Sequence, residues 1–508
     1  MQIEVIIEKK SHKLDAEEGK TILETLQEHG IHVLTAPCGG RGRCGKCTVE
    51  VEHMGEVLAC MTKVTDGMRI TIPKVQLRAQ KSKIAENGTV THYPADDGEG
   101  LDAACDIGTT TVVCHLIDGK TGEKLATVSE PSAQRSFGAD VLSRIQAAEA
   151  GKLEILKEQI IFQIAQMLRT LQKKTGRGEQ IQRLAVVGNT VMCHLFVGIS
   201  PVSIGVTPFM PQEFFGKEYT GEQLGLTDCR SVYIAPAVAG FVGGDITSDL
   251  LAVMRKNPKE KVLLLDIGTN GEMAVGNEEQ IYCCATAVGS AFEGAEMAMG
   301  MPAAVGAISH VWLDQRRIRV QVIGDEEACG ICGSGLIDAL AVILEMGLLD
   351  HTGLLKQKQS VSVAYRKYLG EYAGQPCVWL AHKVCVTQED IRGLQLAKAA
   401  FAAGMRILLQ DSHTPYEQLD HVVLAGGFGS YLKKESAAAI GLIPKELLPI
   451  TESVGNAAGE GAVSAAISQK AREQLLTIRK SMHYIELSTH PDFSQEYMDQ
   501  MDFDESKR

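Results

Sequence analysis

No apolar run in this chain reaches about 18 residues without a charge, so no membrane-spanning helix is expected. The first residues, MQIEVIIEKKSHKLD, lack the basic region and long apolar core of a signal peptide, and the chain is expected to be cytoplasmic. Positive charge is in deficit: 50 Lys and Arg against 63 Asp and Glu leave a net charge of −13. That argues against a nucleic-acid binder, although a local basic patch still suits an acidic partner. Cysteine is too sparse, 14 in 508 residues, to staple a disulfide scaffold. Clustered cysteines then suggest metal or redox work. Those at 105, 114, 193, 229, 377 and 385 stand alone and read as small core hydrophobes. No internal repeat stands out.

What the sequence does have begins with APCGGRGRCGKC at residues 36–47. From Gly40 it nearly fits a phosphate-binding loop, but Cys47 replaces the hydroxyl that ligates Mg²⁺, and a strand follows where a helix should start. Cys38, Cys44 and Cys47 are spaced C-x5-C-x2-C, with Cys60 twelve residues further on. Four thiolates are the complement of a [2Fe–2S] cluster. A zinc site usually shows two C-x2-C pairs, and a redox disulfide leaves Cys38 and Cys60 unexplained. Gly39, Gly40, Gly42 and Gly45 let the backbone wrap tightly and aim N–H groups at sulfur. The common plant-type spacing is one residue shorter. Arg41, Arg43 and Lys46 flank these cysteines, as a solvated loop or as a docking surface for an acidic electron-transfer partner.

Alternating strands, one amphipathic helix and the cysteine loop make residues 1–78 an α+β unit. Residues 79–100 lose hydrophobic periodicity and read as a flexible linker on which that unit swings. From 101 to 480 strands and helices alternate as α/β, divided at 245 into a first lobe and a second (246–480). Residues 481–508 read as a loosely docked acidic tail.

Two segments of the α/β part share one design: DIGTTTVVCHLID (106–118) and DIGTNGEMAVG (266–276). Each is a strand ending in Asp, then a Gly-Thr turn, then a returning strand. Gly108 and Gly268 permit close approach of the backbone. Thr109, Thr110, Thr111, Thr269, Asn270 and Gly271 offer donors to phosphate oxygens, and Asp106 and Asp266 suit Mg²⁺ held through water. VVLAGGFGSYL (422–432) runs a buried strand into a turn at Gly426, Gly427 and Phe428, where a flat ring can lie against the backbone. CGICGSGLIDAL (329–340) enters a helix at Gly333, Ser334 and Gly335, whose N–H groups suit an anion. It also holds Cys329 and Cys332. His194 reads as a structural histidine.

Residues 1–78 resemble the β-grasp fold of plant-type and adrenodoxin-like ferredoxins, which implies a one-electron carrier. The two hairpins and the Gly-Gly turn resemble the phosphate-1, phosphate-2 and adenosine motifs of the actin, Hsp70 and sugar-kinase superfamily. That implies an α/β ATPase of two ribonuclease-H-like lobes with ATP in the cleft between them. Sugar kinases carry a catalytic aspartate near the position of Asp245, which makes it a candidate to orient the attacking nucleophile, with a helix cap as the plainer role. Glu272 is a candidate to position water or metal.

The whole pattern, with CGGRGRCGKC, CDIGTTTV, FGADVLSRI, LLLDIGTNGE, GICGSGLID and LAGGFG, resembles the reductive activators of corrinoid proteins. The resemblance implies ATP-dependent, one-electron reduction of an inactive Co(II) corrinoid protein in a methyltransferase system. A [2Fe–2S] cluster, ATP and Mg²⁺ would be the cofactors. A low-potential electron donor and a homodimer would complete the assembly, with no nucleic acid and no membrane. A plant-type cluster lies near roughly −400 mV and Co(I) is the stronger reductant, so the transfer is uphill and ATP is wanted. Two alternatives remain open at this point. One is a dehydratase activator bridging a [4Fe–4S] cluster with Cys329 and Cys332; the other is a small-molecule kinase with a redox-sensing head.

Overall fold

The computed structural model describes residues 1–8, 10–31, 33–34, 36–73, 88–90, 92–289, 292, 297–429 and 431–503, without the side chain of Phe428. Near the N-terminus, Ile3 and Val5 alternate into a small core with Leu23, Leu26, Val49 and Ile70. The strands Gln2–Ile7, Lys10–Asp15, Thr48–Val51, Gly55–Leu58 and Arg69–Thr71 form one five-stranded sheet in the order second, first, fifth, third, fourth. The first and fifth run parallel, which is the β-grasp arrangement expected. Helix Ile22–Glu28 is started by a reciprocal cap: Thr21 Oγ1 accepts from Glu24 N–H, and the Glu24 carboxylate accepts from Thr21 N–H at 2.8 Å. Such a cap contributes about 1 kcal/mol.

The rest folds as two lobes with one plan. In the first, Leu101–Ile107, Thr111–Asp118 and Lys124–Pro131 form an antiparallel meander. Ile181–Val187 and Cys229–Ile234 then add parallel to its first strand. In the second, Val262–Ile267, Gly271–Gly276 and Ile281–Thr286 repeat the meander, and His421–Ala425 and Thr451–Gly455 add parallel beside it. The duplication that the sequence hides is plain in the topology. These are the two ribonuclease-H-like lobes. Helices Gly244–Met254 and Ala457–Ile467 fill the space between the sheets, with Ile246, Leu250, Ala462 and Val463 in a core shared by Ala104, Val187, Leu264 and Val423. The lobe division drawn at 245 falls inside the first of these helices.

Two expectations are corrected. Residues 79–87 and 91 of the linker lie outside the described residues, but 88–90 and 92–100 are fastened to the body. They run along the helix Ala457–Ile467 as a strap: Thr89 N–H donates to Val454 O at 2.9 Å and Tyr93 N–H to Ser464 Oγ at 3.1 Å. The Asp96 carboxylate accepts from Ser468 Oγ and Gln469 N–H, and Asp97 pairs with Arg183 and Arg472. The segment looked like a linker because its fastenings are polar and distant in sequence.

Residues 504–508 of the tail lie outside the described residues, but 481–503 are not loosely docked either. Met482–Ile485 extends the second sheet beside Ile281–Thr286. Phe503 is 3% exposed and its N–H reaches His351 O at 2.8 Å. The buried Lys398 ammonium, 5.0 Å from the Phe503 ring centre, donates to Asp502 O. Phe503→Ala is expected to cost about 3–5 kcal/mol of unfolding free energy in urea; a loose tail gives a change within about 0.5 kcal/mol.

Candidate active site

The cysteine loop turns on glycines with left-handed backbone, among them Gly39 (φ 63°) and Gly42 (φ 72°). A Cβ at Gly42 would lie 2.7 Å from Met61 Sδ, so the loop needs glycine there for both φ and space. The four sulfurs sort into two pairs. Cys38 and Cys44 are 3.3 Å apart, and Cys47 and Cys60 contact each other. Two thiolate pairs fit the two irons of a [2Fe–2S] cluster. Backbone N–H groups converge on the Cys38 sulfur: burial raises the thiol, but N–H groups of Cys44, Arg43 and Arg41 outweigh it and bring it to about 7. Burial pushes Cys47 up to about 12.

The loop is seated on both lobes. Lys46 Nζ donates to Met297 O at 2.9 Å and to Gly300 O at 3.1 Å in the second. Arg41 reaches Gln146 in the first, and Gln27 Nε2 donates to Ser136 O at 2.6 Å. Arg41 and Lys46 therefore hold the head to its own body rather than forming a free basic patch. Arg43 alone of the three stays exposed without such a contact.

The two hairpin turns face one another across the cleft, with Thr110 Oγ1 3.4 Å from Thr269 Oγ1. Asp106 and Asp266 stand half-buried on the cleft wall at the ends of their strands. Asp245 joins them from the first turn of Gly244–Met254. Gly243 occupies the cap position itself, and the Asp245 carboxylate accepts from Ile246 N–H of the first turn at 2.9 Å. Glu272, paired across the strands with Asp266, lies buried beneath and accepts from Asn270 Nδ2 at 3.2 Å. Gly426 closes against this group: a Cβ there would sit 2.2 Å from Asp266 Oδ1. The Asn189 amide holds Thr109 Oγ1 at 3.1 Å. No described contact supplies a role for Phe428, whose side chain lies outside the described residues.

A fifth carboxylate escaped the sequence reading. Asp249 lies one helical turn past Asp245, fully buried, with no N–H donor on either oxygen and its carboxyl against that of Asp266. The i, i+4 spacing that puts both on one face was legible, but an isolated Asp in an apolar helix carried no motif. Burial raises all five: Asp245 to about 6 against backbone N–H groups that lower it, and, with repulsion from neighbouring carboxylates added, Asp106 and Asp266 to about 7 and Asp249 and Glu272 well above the usual range. Oxygen donors of this kind suit a hard divalent cation such as Mg²⁺, though among the described residues no three of them gather closely enough to hold one ion by direct ligation.

A consequence follows for pH. These acids have folded-state values above the unfolded ones, so the nucleotide-free fold holds protons that the unfolded chain releases. Its stability contribution is full below about pH 4 and is lost as pH rises towards about 7. The melting temperature of the nucleotide-free protein is expected to fall across that window, and the increment from Mg²⁺ and ATP to grow. A flat profile contradicts the clustering.

Elsewhere the sequence reading divides. Ser334 Oγ donates to Ser309 O at 2.9 Å, and a Cβ on Gly335 would strike Ile308 O at 2.3 Å. Gly333–Gly335 thus enter the helix Gly333–Glu345 by packing on the strand Ala307–Asp314, with no hydrogen bond to either hairpin. Cys332 is buried against Ile308 O and Cys329 is exposed. His194 is buried, its Nδ1 at 2.7 Å from Thr190 O and its Nε2 accepting from Glu213 N–H. It is structural. All six cysteines read as core are buried, but Cys105 and Cys114 are not isolated, their sulfurs 3.0 Å apart on paired strands.

Three family models match the chain in series. They are the 2Fe-2S iron-sulfur cluster binding domain over residues 4–74, the RACo middle region over 101–257, and the C-terminal domain of RACo, the ASKHA domain, over 260–508. The corrinoid activation enzyme RamQ of Eubacterium limosum is 31% identical, across 92% of this chain and 93% of that protein. A [Co(II) methylated amine-specific corrinoid protein] reductase of Methanosarcina barkeri is 24% identical across 79% and 76%. The solved structure of a reductive activator for corrinoid, iron-sulfur protein superposes with a TM-score of 0.72 at 28% identity, over 99% of this chain and 98% of that one. Among the described residues no helix is long and apolar enough to cross a membrane.

Proposed function

The chain belongs to the family of reductive activators of corrinoid proteins, and from that premise we propose the division of labour among its residues. It is an ATP-dependent enzyme that returns a Co(II) corrinoid protein to Co(I). The observation that carries this reading is the seating of a loop with paired thiolates on two lobes whose phosphate hairpins face each other at 3.4 Å.

Cys38 with Cys44, and Cys47 with Cys60, would hold the two irons. When bound, a [2Fe–2S] cluster supplies a single low-potential electron. The chain does the rest. N–H groups of the glycine-rich loop steady charge on sulfur. Thr109, Thr110, Thr111, Gly268, Thr269, Asn270 and Gly271 grip the triphosphate, and Gly426 and Gly427 back the adenosine. Asp106, Asp266 and Glu272 would hold Mg²⁺, which would supply positive charge against the phosphates. Asp245, with its value near 6, is ionised at neutral pH and accepts a proton from the water that attacks the γ-phosphorus. The γ-phosphoryl leaves as phosphate and ADP stays in the cleft. Each 59 mV by which Co(II) is harder to reduce than its donor costs about tenfold. ATP offsets that only through a conformation that favours one state of the partner.

The partner is a corrinoid protein of a methyltransferase system, served by a low-potential donor. A cytoplasmic homodimer rests on the family likeness alone. The test is to mix the protein with ATP, a low-potential reductant and a Co(II) corrinoid protein. The Co(I) absorption band is expected only when all three are present. A phosphorylated small molecule formed without reductant, with no Co(I), overturns the reading in favour of a kinase.

A further inference from the structure

The head is seated on the body, and the segment after it is strapped to the body from Gly88 on; both sets of contacts lead to the first phosphate hairpin. At the seat, Ala139 N–H donates to Pro37 O at 3.2 Å, one residue before the ligand Cys38, and Gln27 holds Ser136 O. Directly behind this seat lies Arg144, with no exposed surface. Its guanidinium donates to Gly138 O at 3.3 Å, to Gln134 Oε1 at 3.3 Å, and on its far side to Thr109 O in the hairpin turn. The second tie is the strap. Gly88 N–H and His92 Nε2 meet the buried Glu460 carboxylate at 2.6 and 2.7 Å, and Lys124 Nζ joins at 2.8 Å. Glu460 stands in the first turn of the helix capped by Asn456. Asn456 Nδ2 donates to Asp106 Oδ2 at 2.9 Å while its Oδ1 accepts from Gly459 N–H at 2.8 Å.

We infer that seating of the ferredoxin head and occupancy of the nucleotide cleft are coupled through the hairpin 106–111, with Arg144 and Asn456 as the positioning residues that join them. The physical reason is the cost of leaving buried donors unmet. If nucleotide moves Thr109 O, the Arg144 fork must follow or lose a bond in a water-poor interior. Following means moving Gly138, whose neighbour Ala139 holds the head. If Asp106 turns towards a cation, Asn456 turns with it, and the helix turn bearing Glu460 is the anchor of the strap. Coupling between two binding equilibria is reciprocal by necessity. The inference rests on the reading of 106–111 as a nucleotide hairpin.

The experiment uses the full iron-loaded chain. Hydrogen exchange at the Ala139 amide reads seating, and calorimetry with Mg²⁺ and a non-hydrolysable ATP analogue reads occupancy. Gln27→Glu sets a carboxylate against Ser136 O, far from the cleft. It is expected to speed Ala139 exchange and to weaken nucleotide binding by about fivefold or more. Saturating nucleotide should slow wild-type Ala139 exchange by a matching factor. In an Arg144→Lys background, a single ammonium cannot fork between Thr109 and Gly138, and the effect of Gln27→Glu on affinity should shrink below about twofold. A merely structural arginine leaves that effect intact. Freed Ala139 with unchanged affinity overturns the coupling. Should either variant fail to fold or to unseat the head, the wild-type arm decides: Ala139 exchange indifferent to saturating nucleotide overturns it. A wild-type chain that binds no nucleotide instead sinks the functional reading, a different outcome.

Discussion

Cys44→Ala is expected to remove the visible iron–sulfur spectrum and to slow ATP-dependent Co(I) formation by at least about a hundredfold, while nucleotide still binds the lobes. The argument is local. Cys44 forms one of two sulfur pairs with Cys38, 3.3 Å away, and the loop offers no fifth thiol to replace it. The other cysteines are buried in separate cores or lie at the Cys329 turn. Cys193→Ala is the matched control. Cys193 is buried in the first-lobe core, so its loss should cost about 1 kcal/mol of stability and leave the spectrum intact. Equal spectra for the two variants contradict the ligand assignment.

Asp266→Asn should move stability and activity in opposite directions. Asp266 is raised by burial and by repulsion from Asp245 and Asp106, and Asp249 lies against it without a donor. An amide relieves that repulsion, so the melting temperature of the nucleotide-free protein should rise at pH about 7. The same change removes charge where a cation and phosphates must be held. ATP hydrolysis should fall by about 10²–10³-fold. A site kept acidic against its own stability is one selected for binding. A variant that loses stability and keeps hydrolysis places Asp266 in a structural role.

Legibility in the sequence followed distance along the chain. The cysteine loop at 36–47, the two Asp-Ile-Gly-Thr hairpins and the Thr21–Glu24 cap are each local in sequence, and each forms where its pattern lies. The strap at 88–100 and the tail at 482–503 were misread because Glu460, Lys398 and His351, which hold them, lie up to several hundred residues away. Their polar composition resembled linker and tail for that reason. The shared lobe topology left only the two DIGT hairpins as a trace in sequence, since strand order is kept by backbone pairing and not by residue identity. Asp249 was silent because burial, which makes it matter, is invisible in one line of text. At Gly335 the glycine also serves close packing, since a Cβ there would strike Ile308 O.

The central claim is that one chain transfers an electron to a corrinoid protein only when its nucleotide cleft is engaged. The most direct measurement is a single turnover. Protein reduced beforehand and freed of excess reductant is mixed rapidly with a Co(II) corrinoid protein, with and without Mg²⁺ and ATP, while the iron–sulfur and cobalt bands are followed together. The account predicts at most one Co(I) per chain, rising at the rate at which the iron–sulfur bands reoxidise, and only with ATP. Co(I) appearing equally without nucleotide, or reoxidation with no Co(I) at all, would contradict it.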